Sequence, residues 1–397
     1  MFKNLVMIAG LAIIAIAFVA CAPAPTATPV PPTAVPATAV PTKAPEATKP
    51  PAPTAVPPTV APTAVPATNT PAAPKPADAN TLLALKVATA PKLDALADDA
   101  AWKTAPEMKI AAAGGQNFKG GATSATMKAV YVNDTVYFLL QYDDPTLSVQ
   151  RSPFVKQADG SWKKLVDPDD KGGDNNKYYE DKFAIIWSIN NSIKGFDTAG
   201  CFATCHAGEA GKPYGNKYTA AVGELGDIWH MKWVRTGAIG QIDDQYLDDT
   251  RYDKDKSPEA GRKSDAKAGG GYADVVLKDG KPEFMNKDAK PANAGGTYWI
   301  KDADKVAFDD SKFKAGDEVA SILIAPHTGD RGDISAFGVW KDGKWTYAFS
   351  RKLVTGSKTD VQFDKLDGTY LFGIAFFDNA QVRHAFNTGA LKLQFAK

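Results

Sequence analysis

Where proline stops decides what this chain can fold into. Of its 28 prolines in 397 residues, 18 fall between Cys21 and Asp78, and the other ten are scattered over the remaining 319 residues. Proline fixes φ and removes a backbone donor, so a segment this rich in it forms neither helix nor sheet. Its remaining residues are mostly Ala, Thr and Val, and Pro32-Thr33-Ala34-Val35-Pro36-Ala37-Thr38 recurs at residues 62–68. Residues 22–79 are therefore expected to be a disordered Pro/Thr/Ala-rich linker, reaching ~180 Å at about 3.1 Å per residue when fully extended. All eight tryptophans lie beyond it, so residues 80–397 carry the foldable domain. A net charge of +1 lacks the basic excess of a nucleic-acid binder. The composition also excludes collagen, a coiled coil and a disulfide-rich miniprotein.

Residues 1–21 read as an export signal. A basic start at Lys3 precedes an apolar run over residues 5–19, shorter than the roughly twenty residues of a membrane span. Phe18-Val19-Ala20-Cys21 resembles the bacterial lipoprotein cleavage site, with Phe18 where an aliphatic residue is usual. Cleavage there would leave Cys21 as the lipidated N-terminus, holding the domain extracytoplasmically on the membrane outer face. Ordinary secretion without lipid is the alternative.

The foldable part reads as all-β, an immunoglobulin-like β-sandwich with long loop insertions. Residues 128–142 look like two strands about a turn at Asn133-Asp134. Residues 183–189 and 319–324 are short apolar strands, and residues 337–349 form a hairpin turning at 341–344. Residues 370–377 and 390–395 supply the last strands, and residues 94–103 a helical turn or two. Residues 253–304, rich in Lys, Asp and Gly, are expected to be an insertion with one hairpin at 275–284.

Once Cys21 is set aside, two cysteines remain, in Cys201-Phe202-Ala203-Thr204-Cys205-His206. This C-x3-C-H is one residue longer than the C-x2-C-H of covalent c-type haem. There, two thiols add across the haem vinyl groups and the adjacent His lies under the iron. A Cys201–Cys205 disulfide, zinc with a fourth ligand, and an unliganded surface His206 are the other readings.

The sequence around the motif resembles the haem-binding domain family of ethylbenzene dehydrogenase and related dimethyl sulfoxide reductase-type complexes. The likeness is carried by residues 93–102, 136–145 and 180–187, then by the Cys/His motif after Gly200 and by residues 227–237 with Asp243-Asp244. It continues through Trp340, Gly343, Trp345, Arg351, Leu353, Thr355-Gly356, residues 360–363 and residues 372–379, and ends with His384. What the resemblance implies is a β-sandwich holding one haem for electron transfer. Relatives with non-covalent haem b are similar but use Met where the Cys/His motif stands and Lys near the C-terminus. On that pattern His206 takes the first axial position and His384 the second, and the added cysteines make haem c the expectation, with haem b the alternative. Met231 or His230 is the next choice for the second ligand, and His327 the third. Arg235 would pair with a haem propionate or form an ordinary salt bridge. Trp187, Trp229, Trp233, Trp340 and Trp345 line either the pocket or the core. Arg331-Gly332-Asp333 is read as a loop.

Two functional readings are open. One is a membrane-anchored haem protein that passes electrons between unidentified redox partners, a molybdoenzyme or respiratory chain among them, without substrate turnover of its own. The other is a haem-free, carbohydrate-binding-like module with a Cys201–Cys205 disulfide and a tryptophan sugar platform.

Overall fold

The computed structural model describes residue 76 and residues 78–171, 174–206 and 217–396. The expected signal peptide, Cys21 and nearly all of the expected linker lie outside the described residues. Apolar and polar side chains alternate along much of the described chain, and strands dominate its structure accordingly. Thirteen of them form the principal sheet. In chain order they are β1 (Thr81–Lys86), β2 (Met108–Ala113), β3 (Ala122–Val132), β4 (Thr135–Asp143), β5 (Lys182–Ser188), β6 (Gly226–Lys232) and β7 (Asp243–Leu247). Then come β8 (Arg262–Ser264), β9 (Ser335–Lys341), β10 (Lys344–Lys352), β11 (Tyr370–Phe377), β12 (Ala385–Phe386) and β13 (Leu391–Phe395).

The sheet folds over on itself into a β-sandwich. One layer runs β8-β7-β6-β5-β11 and the other β9-β10-β4-β3, with neighbours antiparallel in both. A seam joins the layers. There β1 runs parallel to both β3 and β13, and β13 pairs with β11. The inward faces meet in one aromatic core. Trp187 and Trp229 lie 5.1 Å apart, and Phe138 from the opposite layer is 5.7 Å from Trp229. Trp345 is fully buried there, while Trp233 and Trp340 pack against its margin. Core packing is thus the role of these tryptophans.

The expected hairpins are present. Asn133 and Asp342 take positive φ at the β3–β4 and β9–β10 turns, the backbone such two-residue turns demand. Residues 319–324 differ from expectation. They split between Glu318–Val319, which pairs with Phe154–Lys156, and the separate strand Ile322–Thr328. The 253–304 insertion holds more structure than its composition suggests. Its short hairpin, Leu277–Lys278 against Lys281–Pro282, is joined by strands at Gly269–Asp274 and Phe284–Asn286. Val275, Met285 and Ile300 then pack with Phe154, Trp162 and Phe313 in a satellite core.

Candidate functional site

Strand alternation gives β11 two faces. Phe372, Ile374 and Phe376 enter the sandwich core, whereas Leu371 joins a separate apolar cluster with Ile186, Ile193, Phe196, Ile228 and Leu247. The Cys/His motif is anchored on this second, outer face. A four-residue helix, α1 (Phe196–Ala199), drops Phe196 into the cluster, and Gly200 ends it at φ +55°. Cys201 is buried in the same cluster, with Cys205 packed against its edge. The His206 amide donates to the Cys201 carbonyl at 3.0 Å and closes the turn.

Two glycines permit this docking. A Cβ on Gly200 would stand 2.2 Å from the Gly389 carbonyl oxygen, so only glycine lets the motif loop meet the 387–390 segment. A Cβ on Gly373 would stand 2.4 Å from Cys201 Sγ. The floor beside it carries two more small residues, the paired Ala184 and Ala375.

The second loop descends from β11 to β12 and brings His384 to His206. Their Nε2 atoms face each other at 3.1 Å, with rings inclined at 76°. His384 Nδ1 lies 2.8 Å from the Val382 carbonyl, which makes Nδ1 the protonated nitrogen and leaves the Nε2 lone pair pointing at His206. Phe377 and Phe386 flank the pair at 4.6 Å from His384 and His206 respectively, and the half-exposed Phe202 lies 5.2 Å from His206. Burial, aided by the neighbouring His206, pushes His384 down to about 3, and burial lowers His206 as well. Both imidazoles are therefore neutral at neutral pH and able to donate to a metal. Beyond Phe386 opens a groove of about 430 Å³ walled by Ala111, Ala112, Ala113, Thr123 and Thr388.

Cys201 and Cys205 are free thiols, so the pair is not the disulfide that one reading required. Burial raises both, Cys205 to about 11, and keeps them protonated. Among the described residues no cysteine sulfur comes within 4.8 Å of both imidazole nitrogens, so the four groups do not converge as a tetrahedral zinc site needs. The donor types, two neutral imidazoles with two thiols on the same loop, are those that a covalent haem would use.

The other expected site residues lie elsewhere. Met231 is fully buried in the sandwich core, opposite Phe183, because alternation turns it away from the face that carries His206. His230, one residue earlier, does face outward. It stacks on Phe377 at 5.8 Å and leaves Nε2 without a partner. Arg235 is committed to Glu180, with Nε 2.5 Å from Oε1, which realises the salt-bridge alternative rather than the propionate one. His327 is buried 4.0 Å from Asp243 and lies apart from the His206–His384 pair. The sequence did not reveal the roles of Gly200, Gly373, Phe377, Phe386 and the Val382 carbonyl. Their trace in the sequence was Gly200 just before the motif and Gly373 and Phe377 within the 372–379 stretch of the family likeness.

The family model described as ethylbenzene dehydrogenase matches residues 99–388. No curated protein matches the sequence. Among solved structures, a family 9 carbohydrate-binding module from Caldicellulosiruptor kristjanssonii in complex with glucose is similar at 10% identity and a TM-score of 0.30, over 80% of this chain and 96% of that one. The same module with cellotriose aligns at 9% identity and a TM-score of 0.30, covering 80% and 95%.

Proposed function

The chain belongs to the ethylbenzene dehydrogenase family, and on that premise we propose that it is a haem-binding electron-transfer protein, held outside the cytoplasm by a lipid on Cys21. The observation that carries this reading is the facing His206 and His384 Nε2 pair, 3.1 Å apart, beside two free thiols. His206 and His384 would hold the iron, and Cys201 and Cys205 would bond the ring through thioethers. Bound there, the haem supplies a one-electron couple. The protein's own part is to keep both imidazoles neutral, to fix the His384 tautomer through Val382, and to wall the site with Phe202, Phe377 and Phe386. The chain serves as a carrier or electron-transfer subunit, in keeping with a family named for an oxidoreductase, and its partners are redox proteins.

The carbohydrate-binding reading loses much of its sugar platform, because Trp187, Trp229 and Trp345 are buried in the core. Among the described residues no helix is long and apolar enough to cross a membrane, so the reading relies on Cys21 for anchorage.

The full chain made in cells competent for cytochrome c maturation tests the proposal. A Soret band is expected, together with a haem mass addition that survives denaturation. A folded product with no Soret band would overturn the haem reading. A Soret band without the mass addition would assign non-covalent haem b and leave the axial pair in place.

A further inference from the structure

Away from the His206–His384 pair, the sandwich holds a concentration of buried negative charge. Asp227 on β6, Asp244 on β7 and Asp360 in the loop after β10 are all almost wholly buried, and they present carboxylate oxygens within 4.8 Å of one another. Asp265, just past β8 and also buried, forms an adjoining trio with Asp330 and Asp360. Among the described residues, the cation set among them is Arg351, 3.0 Å from Asp227 and 3.6 Å from Asp360. A single guanidinium cannot balance four buried carboxylates, and uncompensated buried charge is strongly disfavoured.

The hydrogen bonding shows how these groups are held. Asp227, Asp265 and Asp360 each use one oxygen as a tether and leave the other bare. Asp227 Oδ2 accepts from Trp229 Nε1, the Val361 amide and Arg351, while Oδ1 has no partner. Asp244 Oδ1 accepts from the Gln245 amide, and its carboxyl also shares a hydrogen bond with that of Asp333. Asp360 Oδ2 accepts from Thr355 Oγ1 and Oδ1 is bare. Asp265 Oδ1 accepts from Thr359 Oγ1 and Oδ2 is bare. Asp333, from the Arg331-Gly332-Asp333 loop, brings a further carboxyl against Asp244. Buried polar atoms without partners are rare, and three on neighbouring carboxylates mark a missing ligand. The other buried trio, Asp144, Asp181 and Asp378, lacks this pattern. There only Asp144 leaves a buried oxygen bare.

We propose that Asp227, Asp244 and Asp360, with Asp265 and Asp333 at the margin, form a calcium site. A set made only of hard oxygen donors selects a hard cation over zinc or copper. Calcium accepts six to eight oxygens in flexible geometry, whereas magnesium demands a near-ideal octahedron and retains water. The ion would join β6 and β7 of one layer to the loop that leaves β10 of the other.

The test uses the full chain stripped with EGTA, then thermal melts and calorimetric titration with CaCl2, with MgCl2 in parallel. Calcium should raise Tm by on the order of 4 °C at a hundredfold excess over its Kd. That rise should disappear in Asp244→Asn and Asp360→Asn. No heat and no Tm shift with CaCl2 in the wild-type protein would overturn the site, and this holds even where the variants fail to fold. An equal shift with MgCl2 would overturn the choice of calcium. A calcium shift retained in both folded variants would overturn these residues as its ligands. None of these readouts depends on haem.

Discussion

At the scale of single residues, the site depends on atoms that are absent. Gly373 has no Cβ where one would press on Cys201 Sγ at 2.4 Å. Gly373→Ala is therefore expected to lower stability by about 1–3 kcal/mol and to reduce the fraction of chains that carry covalent haem. Urea denaturation and the denatured mass measure the two effects separately. His384→Met tests the axial assignment. A thioether ligand favours reduced iron, so the midpoint potential should rise in a spectroelectrochemical titration. An unchanged potential and spectrum would remove His384 from the iron. His206 and His384 were legible in the sequence, one from the motif beside two cysteines and the other from its place in the family pattern. Gly200 and Gly373 were not, since their constraint is contact with the Gly389 carbonyl and Cys201, which only the fold brings near.

At the scale of elements, one strand shows what sequence reading can settle. The β6 stretch Trp229-His230-Met231 offered two candidate ligands, and alternation sends Met231 into the core and His230 to the outer face. Which residue of a strand faces which side follows from period two, but the identity of each side requires the neighbouring strands. The core strands were readable because their apolar residues are large and continuous. The insertion was not, since its few apolar residues pack with distant Phe154 and Trp162. The trio Asp144, Asp181 and Asp378 gives the elements around it a pH dependence. Burial and neighbouring carboxylates push Asp144 up to about 9, and burial lifts Asp181 to about 7. An unfolded Asp titrates near ~3.9, so between that pH and about 9 the native state binds more protons than the unfolded one. This contribution to stability is complete below pH ~4 and is lost as pH rises through the window. Urea midpoints should fall between pH 5 and pH 8.5, and Asp144→Asn should flatten that slope.

For the whole molecule, the uneven proline distribution and the site belong to one proposal, a redox group carried on a long leash. Cys21→Ser should shift the full chain from the detergent phase to the aqueous phase on Triton X-114 partitioning while leaving its visible spectrum unchanged. Retention in the detergent phase would remove the lipid from Cys21. The seam of the sandwich then acquires a mechanical meaning. The first strand after the leash, β1, is hydrogen-bonded on both sides, parallel to β3 and to the last strand β13. A pull applied at residue 80 acts along β1, so its ladders are loaded in shear and share the force, instead of opening one bond at a time. A strand held on both sides in this way resists a pull at its N-terminal end through all of its ladder bonds at once.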